Sequence, residues 1–213
     1  MAGLVEVKRV KNAVLYADGT IRLDEVRFSY LTCYEARETT NPDGSKGSKK
    51  FGCVAIMPKA THREAKDLVI EELNKILMDK KKITHRKFKA ENLFLRDGDT
   101  SGKEEYEDSF IAVTSQTEQH PPVVLKGRTP LPNDGTLFSG CYGSIWLRPW
   151  WQIAKPERSQ PERINANFVG VQFKRTGEAF GSQGPSQDDI LGAAEPDDGD
   201  LPVDDDDDDA AGL

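Results

Sequence analysis

The amino-acid sequence predicts a mainly β domain, a small Greek-key barrel with one inserted α-helix, followed by a disordered acidic tail. Several segments are rich in β-branched and aromatic residues and are separated by turns that contain glycine. One stretch near residue 70 has apolar residues at helical spacing. The tail begins where basic residues end, so we predict a domain over residues 1–177 and a tail over 178–213.

The first strands are predicted from composition. Residues 21–34 are β-branched and aromatic enough for one long strand, with a bulge near residues 24–25. Residues 37–50 contain Asn-Pro-Asp-Gly and are predicted to form a polar, flexible turn with a basic end. Residues 51–57 form the second predicted strand, which Pro58 ends.

The helix is predicted from a capping box and a periodic apolar face. Thr61-His62-Arg63-Glu64 has the form of a capping box, which satisfies free amide groups at a helix start. Apolar residues then recur at helical spacing through about residue 78. Three lysines at 80–82 follow, favourably placed for the helix dipole. We expect this helix to cover one face or end of the barrel.

The second half contains three further predicted strands, at residues 110–115, 142–151 and 164–174. The short segment 123–125 is expected to pair with one of them. Residues 83–108 fit no single pattern, although 96–99 resemble a turn.

Composition argues against several classes of protein. Cys33, Cys53 and Cys141 are odd in number and widely spaced, which favours buried thiols in a soluble, cytoplasmic protein. The three histidines have no metal-ligand spacing, and no apolar run approaches the roughly 18 residues of a membrane span. We therefore expect no metal, no cofactor and no membrane association. No nucleophile–base arrangement or phosphate-binding loop is present, so the sequence does not predict an enzyme.

The strongest functional pattern is the predicted strand that holds all three tryptophans. With a period of two, Gly143, Ile145 and Leu147 face the core. The opposite side carries Tyr142, Ser144, Trp146, Arg148 and Trp150. An exposed row of aromatic rings with an arginine suits stacking of unpaired bases and contact with phosphate. The alternative is that these rings pack beneath a loop or the helix, and Trp151 falls on the core-facing side.

Other candidate binding residues lie near the first strands and the tryptophan strand. Tyr30 and Tyr34 could stack on bases. Arg27 lies on the opposite side of its strand from Phe28 and Tyr30, so either Arg27 or the pair Phe28 and Tyr30 should be exposed. The candidate phosphate contacts are Lys49, Lys50, Arg128, Lys155, Arg158 and Arg163. Each of these aromatics or cations, considered alone, is at least as well explained as a core residue or a solvated charge.

The tail holds 13 of the 36 acidic residues and none of the 29 basic ones. It includes the run Asp204, Asp205, Asp206, Asp207, Asp208 and Asp209, and it ends at Leu213. Such a segment repels itself and has little apolar surface to bury, so it should stay disordered. Tethered to a basic body, it could occupy a cationic groove until a stronger polyanion displaces it. The alternative is a tail that only increases solubility.

Short motifs in a fixed order resemble a family of phage-encoded single-stranded DNA-binding proteins. They are Phe28-Ser29-Tyr30, Pro58-Lys59, Asp97-Gly98-Asp99, Pro121-Pro122-Val123-Val124, Ser139-Gly140-Cys141-Tyr142, Asn167-Phe168-Val169-Gly170-Val171-Gln172 and Thr176-Gly177-Glu178. The resemblance covers roughly residues 20–180, and the family is related in fold to the single-strand binding protein of T7-type phages. The tryptophan-rich strand departs from the family pattern, and the tail ends in Ala-Ala-Gly-Leu without the Pro-Phe tip of bacterial single-strand binding proteins.

The resemblance implies an OB fold, a five-stranded Greek-key barrel, with the helix inserted after the second strand. It also implies sequence-nonspecific binding of single-stranded DNA in phage replication or recombination, in the host cell cytoplasm. The tail would then recruit replication or recombination proteins. Two other classes remain as alternatives. One is an acidic-tailed adaptor or chaperone for basic proteins. The other is a metal-dependent nuclease, which would need its acidic residues between 97 and 108 to converge.

Overall fold

The computed structural model describes residues 3–40, 44–81, 83–154 and 161–180. Its strands are β1 (Glu6–Val10), β2 (Ala13–Tyr16), β3 (Ile21–Thr40), β4 (Lys46–Pro58), β5 (Leu95–Asp97), β6 (Ser109–Thr117), β7 (Val123–Lys126), β8 (Thr129–Pro130), β9 (Tyr142–Gln152) and β10 (Arg163–Arg175). The helix α1 spans Lys59–Lys81, and short 3-10 turns connect it to β5 and β6. No helix in these ranges is long and apolar enough to cross a membrane.

Five of the strands close a barrel. β4 pairs antiparallel with both β3 and β6, and β9 pairs antiparallel with both β3 and β10. The remaining seam joins β6 to β10 in parallel through one residue pair, Ser115 with Asn167. This topology, with the helix after the second barrel strand, is consistent with an OB fold and confirms the predicted fold class.

The barrel is filled by alternate residues of its strands, because side chains along a strand point to opposite faces. Phe28, Ile145, Leu147 and Phe168 are completely buried. Helix α1 packs against β2, β4, β6 and β9. As its spacing predicted, it buries Ala65, Leu68, Val69, Leu73 and Leu77. Cys33, Cys53 and Cys141 are also buried, with free thiols.

The predicted start of the helix is wrong. The helix begins at Lys59, two residues before the predicted capping box, and it is kinked at His62 (φ −118°, ψ 19°). The Thr61 hydroxyl donates to the carbonyl oxygen of Pro58 (3.3 Å). The buried His62 ring lies between Thr61 Oγ1 (2.8 Å) and the Asp24 carbonyl oxygen (2.9 Å). Tertiary contacts of His62 therefore determine the local geometry.

The predicted flexible turn at residues 37–50 is also wrong over most of its length. β3 continues to Thr40 and β4 begins at Lys46, so the two strands form a long hairpin. Arg37 pairs with Lys50 and Glu38 with Lys49, and the Thr39 hydroxyl donates to the Ser48 carbonyl oxygen (2.9 Å). Cross-strand pairing thus overrides the polar composition.

β3 contains several irregularities, of which the sequence indicated one. The predicted bulge near residues 24–25 is confirmed by a register shift between Leu23 and Val26 and by a φ of 54° at Glu25. A second irregularity, at Tyr30 (φ 48°), overturns the expected alternation. Phe28 and Ser29 are both buried and Tyr30 is 60% exposed, so Phe28 and Tyr30 do not share a face.

The N-terminal hairpin was not predicted. β1 and β2 are joined by a tight turn in which Asn12 has a φ of 61°, and β2 pairs with β3. The segment 123–125 is confirmed as part of β7, which pairs in parallel with β10. The compact unit that contains the barrel ends at Phe180, three residues beyond the boundary expected from the sequence. Residues 178–180, which were assigned to the disordered tail, instead bind to the barrel, because Arg27 donates to the Glu178 carbonyl oxygen and the Phe180 N–H donates to that of Ser139. The rest of the predicted tail lies outside the described ranges.

Candidate nucleic-acid interface

The outward side of β9 carries Tyr142, Trp146, Arg148 and Trp150, which together we call the aromatic face. Gly143, Ile145 and Leu147 are buried on the other side, as predicted. Ser144, which was predicted to be outward, is buried instead, and its hydroxyl donates to Asp24 Oδ1 (2.6 Å). Trp150 is 40% exposed, whereas Tyr142 and Trp146 are half-buried. Trp151 packs against the core, and its Nε1 donates to Glu162 Oε1 (2.6 Å). The most accessible ring on this face is therefore Trp150.

Two arginines lie against Tyr142. The Arg175 guanidinium is 3.6 Å from the ring centroid, and that of Arg27 is 5.7 Å away. Both are direct pairing neighbours of Tyr142, on β10 and β3 respectively. Gly177 also approaches the ring so closely that a Cβ there would lie 2.7 Å from it. A base could stack on Tyr142 only if Arg175 moved, and the released guanidinium could then contact phosphate.

Trp146 lies between Arg22 on β3 and Gly170 on β10. It pairs with Arg22 on β3, whose guanidinium is 5.9 Å from a ring centroid of Trp146. On β10 it pairs with Gly170, which is packed so tightly against β7 that a Cβ would lie 2.9 Å from the Val123 carbonyl oxygen. Gly170 therefore places no side chain next to the indole on this side.

Arg148 is held in place by the turn before β3. It forms an ion pair with Asp18, and its Nη2 donates to the Thr20 hydroxyl (3.0 Å). Burial alone would raise the pKa of Asp18, but hydrogen bonds from Thr20 and the charge of Arg148 lower this pKa overall. The Asp18 carboxylate therefore remains ionised, and it partly neutralises Arg148.

A cavity of about 270 Å³ lies beside Arg148. We call it the polar groove; it is lined by Gln116, His120, Pro121, Arg148, Asn167, Phe168 and Val169. Strand register connects it to the β3–β4 hairpin. Asn167 pairs with Arg148 on one side and with Ser115 on the other, and Thr117, two residues on, pairs with Lys50. The groove thus lies between the aromatic face and the basic end of β4.

The other predicted cations occupy several places around this surface. Lys49 is exposed and Lys50 half-buried on β4, and Arg128 is exposed in the turn between β7 and β8. Gln172 on β10 donates to the Gly127 carbonyl oxygen (2.6 Å), which fixes that turn beside β10. Arg163 is exposed at the start of β10, two residues before Asn165, the pairing partner of Trp150. Lys155 and Arg158, like Asp204 to Asp209 and Leu213, lie outside the described residues.

The two tyrosines of β3 do not belong to the aromatic face. Tyr34 packs against the core, and its hydroxyl oxygen is buried with no hydrogen-bond partner among the described residues. Burial raises its pKa to about 12. Tyr30 is exposed, with the Lys103 ammonium 4.3 Å from its ring centroid and hydrogen-bonded to its hydroxyl. Tyr30 could therefore stack on a base away from the aromatic face. Tyr34 is packed against the core, so little of its ring is available for stacking.

Sequence reasoning missed four cations that lie within 6 Å of surface aromatic rings: Arg22, Arg27, Lys103 and Arg175. Their positions depend on strand register and on the turns before β6. The only sequence signal for these cation–ring contacts was the predicted pairing of neighbouring strands. That pairing does not determine which residues lie opposite each other.

The carboxylates of residues 97–108 do not form a metal site. Lys59 Nζ binds both Asp97 and Asp99, at 2.6 Å each. Within the described ranges, no three His, Cys, Asp or Glu side chains are grouped to hold a metal ion.

The chain is similar to phage proteins. Residues 19–201 match the model of a family described as Enterobacter phage Enc34, ssDNA-binding protein. The single-stranded DNA-binding protein from bacteriophage Enc34, solved in complex with ssDNA, is 31% identical (TM-score 0.71; 84% of this chain and 98% of that chain covered). A second solved structure, described as the single-stranded DNA-binding protein from bacteriophage Enc34, is 29% identical (TM-score 0.71; 89% of this chain and 99% of that chain covered).

A more distant likeness is to gp2.5, a single-stranded DNA-binding protein encoded by bacteriophage T7. It is 9% identical, with a TM-score of 0.41 and coverage of 81% of this chain and 96% of that one, and is too remote to support an argument. No curated protein matches the chain.

Proposed function

Because the chain belongs to the family of phage single-stranded DNA-binding proteins represented by that of Enterobacter phage Enc34, we propose that it binds single-stranded DNA through the aromatic face. Binding is independent of sequence, and the protein acts without catalysis in phage DNA replication or recombination in the host cytoplasm. The observation that carries the proposal is the outward row of Tyr142, Trp146, Arg148 and Trp150 on a barrel strand.

This row supplies both interactions that a single strand requires. Each base stacked on an exposed aromatic ring contributes roughly 1–3 kcal/mol, and every base offers a π-face, so stacking is tolerant of sequence. Trp150 offers the most exposed ring. Arg22, Arg148 and Arg175 place positive charge beside the rings, where the phosphates of a stacked strand would lie. Duplex DNA keeps its bases paired, so it could use the charges but not the rings.

The path of the strand follows the positive and polar surface on either side of the row. In one direction it leads through the polar groove to Lys50, and Asn167, Gln116 and His120 offer hydrogen bonds on the way. Arg128 and Arg163 flank the row at the two ends of β10. These residues contribute mainly charge, because an exposed cation contacts phosphate whatever the base.

The acidic tail is proposed to have two roles. Its 13 carboxylates compete with DNA for the cationic surface, since a tethered segment reaches roughly millimolar effective concentration. When DNA displaces the tail, Asp204 to Asp209 and Leu213 become free to bind a replication or recombination protein. The competition favours single strands over duplex, because only single strands add stacking to charge.

The test is a tryptophan-fluorescence titration with oligo-dT and then with a duplex of the same length. Oligo-dT should quench the emission, and Trp150→Ala should weaken binding by roughly 1–3 kcal/mol, the contribution of one stacked base. Ile153→Ala is the matched control, because Ile153 is 62% exposed near Trp150 but has no ring. If neither Trp150→Ala nor Trp146→Ala changes the affinity, the aromatic face is not the binding surface.

A further inference from the structure

The chain returns to the barrel after β10 and places an aromatic ring on its outer surface. Phe180 packs against a cluster formed by Ile56, Tyr106 and Ile111, beside Val54. The Arg27 guanidinium lies 4.0 Å from the centroid of the Phe180 ring. We call this site, with its apolar floor and its cation, the Phe180 slot. Its floor is the outward side of β4 and β6, where Ile56 and Ile111 are paired across the two strands.

The segment that carries Phe180 is fixed by the backbone. Arg27 Nη2 donates to the Glu178 carbonyl oxygen (2.7 Å), and the Phe180 N–H donates to the Ser139 carbonyl oxygen (3.1 Å). Gly140 (φ 119°) lies so close to the segment that a Cβ there would be 2.1 Å from the Glu178 oxygen. Phe180 is therefore held in the slot by specific contacts that end where the acidic tail begins.

The slot is continuous with the aromatic face. Arg27 pairs with Tyr142 on one side and with Ile56 on the other, and its guanidinium contacts both the Tyr142 and Phe180 rings. Lys103 lies 5.5 Å from the ring centroid of Tyr106 and 4.3 Å from that of Tyr30. A strand bound on the aromatic face would thus reach the slot by passing Tyr142 and Arg27.

The chemistry of the slot suits any flat aromatic ring. Apolar side chains form its floor, and a guanidinium can lie on a nucleobase as it lies on phenylalanine, by cation–π attraction and stacking. Arg27 can also hydrogen-bond a phosphate when its bond to Glu178 is released. Phenylalanine offers the ring without the phosphate, so DNA has an additional contact with which to compete.

We propose that the Phe180 slot is a further nucleobase site, and that Phe180 occupies it in the free protein in place of a base. The inference rests on the proposed single-strand binding. Single-stranded DNA displaces Phe180, and the displacement releases the first residues of the acidic tail from the barrel. This competition differs from that of the aspartates because Phe180 has no charge, so it does not weaken with salt.

The direct test follows Phe180 itself. Full-length protein with 4-fluorophenylalanine at position 180 is titrated with oligo-dT, and binding is followed in parallel by anisotropy of a labelled oligonucleotide. The fluorine resonance should move to the position of a solvent-exposed ring as the oligonucleotide saturates the protein. Binding with an unchanged resonance would overturn this inference and leave the proposed function intact. Failure of oligo-dT to bind at all would overturn the proposed function and this inference with it.

A second test uses affinity. Phe180→Ala in the full chain should tighten oligo-dT binding roughly two- to thirtyfold, the range that corresponds to loss of one competing cation–π contact. The slope of log affinity against log salt should not change. Glu178→Gln, the control in the same segment, removes a charge and keeps the ring, and should not reproduce this salt-independent gain. Unchanged or weaker binding by a Phe180→Ala protein that unfolds at the wild-type temperature would contradict the proposal.

Discussion

Arg148 shows how the proposed binding surface positions a cation. Its side chain is 46% exposed and is positioned by an ion pair with Asp18 and hydrogen bonds to Thr20. Exposed ion pairs contribute only about 0–1 kcal/mol, so a phosphate can take the place of Asp18 at little cost. The carboxylate thus preorients the guanidinium without binding it strongly.

Replacement of Arg148 should therefore change the salt dependence of DNA binding. If Arg148 contacts one phosphate, Arg148→Ala should make the slope of log affinity against log salt shallower by about 0.7. Asp18→Asn should tighten binding at low salt by at most about fivefold, because it removes a competing carboxylate. Affinities are measured by anisotropy at several salt concentrations. A loss of affinity by Arg148→Ala with the slope intact would instead assign Arg148 a role in stacking or packing.

For single residues, the sequence predicted correctly which side chains face outward wherever a strand alternates regularly. The outward positions of Tyr142, Trp146, Arg148 and Trp150 were identified correctly because the register shifts here place their extra residues on β3 and β10, so β9 keeps its period of two. Phe28 and Tyr30 were wrongly assigned to one face because the left-handed backbone of Tyr30 interrupts the period of two. Arg27 and Arg175 were missed because their contact with Tyr142 depends on register across two strand pairs, which local composition does not encode.

Among the elements, the bulge of β3 is the point where helix and barrel are joined. His62 Nε2 donates to the Asp24 carbonyl oxygen (2.9 Å), and the Ser144 hydroxyl donates to Asp24 Oδ1 (2.6 Å). Lys174 on β10 binds Glu25 at 2.8 Å. The bulge therefore connects α1, β9 and β10, and it fixes the strand that carries the aromatic face.

The stability of this junction should depend on pH through His62. Burial lowers the pKa of His62 below its ordinary value of 6.5, so the folded protein favours the neutral ring. The unfolded chain binds the proton first as pH falls below 6.5, and stability is lost by at most about 1.4 kcal/mol per pH unit. Urea unfolding at pH 7.5 and 5.5 measures this loss.

His62→Gln is the informative comparison. It should be less stable than wild type at pH 7.5, where the neutral imidazole makes its contacts, and should show a smaller loss between pH 7.5 and 5.5. An equal loss in both proteins would exclude His62 as the group responsible.

Elements were predicted most accurately where β-branched or periodic apolar residues form a core side. α1 and the barrel strands fall in this group, and their existence and order were correct. Element ends were less accurate, because long-range contacts decide them. The helix starts at Lys59, whose N–H donates to the Asp108 carbonyl oxygen (2.8 Å), and the β3–β4 hairpin extends to Thr40 and Lys46 by cross-strand pairing.

For the whole molecule, the dominant feature is the separation of charge along the chain. All 29 basic residues precede the tail, and 13 of the 36 acidic residues lie within it. Attraction between exposed charges is screened beyond about 8 Å at physiological salt. The proposed occupancy of the aromatic face by the tail should therefore be partial and sensitive to salt.

Truncation after Phe180 should reveal this competition. The shortened protein keeps the slot contacts and should bind oligo-dT more tightly than the full chain at low salt. It should also bind some duplex and lose recruitment of partner proteins. The comparison is made at two salt concentrations, and the difference should shrink at the higher one. Equal affinities at low salt would leave the tail with a role in solubility or docking alone.

The left-handed backbone of Tyr30 has a consequence for how this protein would evolve in the laboratory. A tyrosine with a φ of 48° costs of order 1 kcal/mol or more relative to a glycine there, and the residue is 60% exposed, so the core gains little from it. A library selected for heat resistance alone should therefore accumulate glycine or asparagine at position 30. A library selected for retention on immobilised single-stranded DNA should keep the aromatic ring, if Tyr30 takes part in binding. Sequencing of the two populations would show whether natural selection accepted a less stable fold at this position in exchange for a ring at the surface.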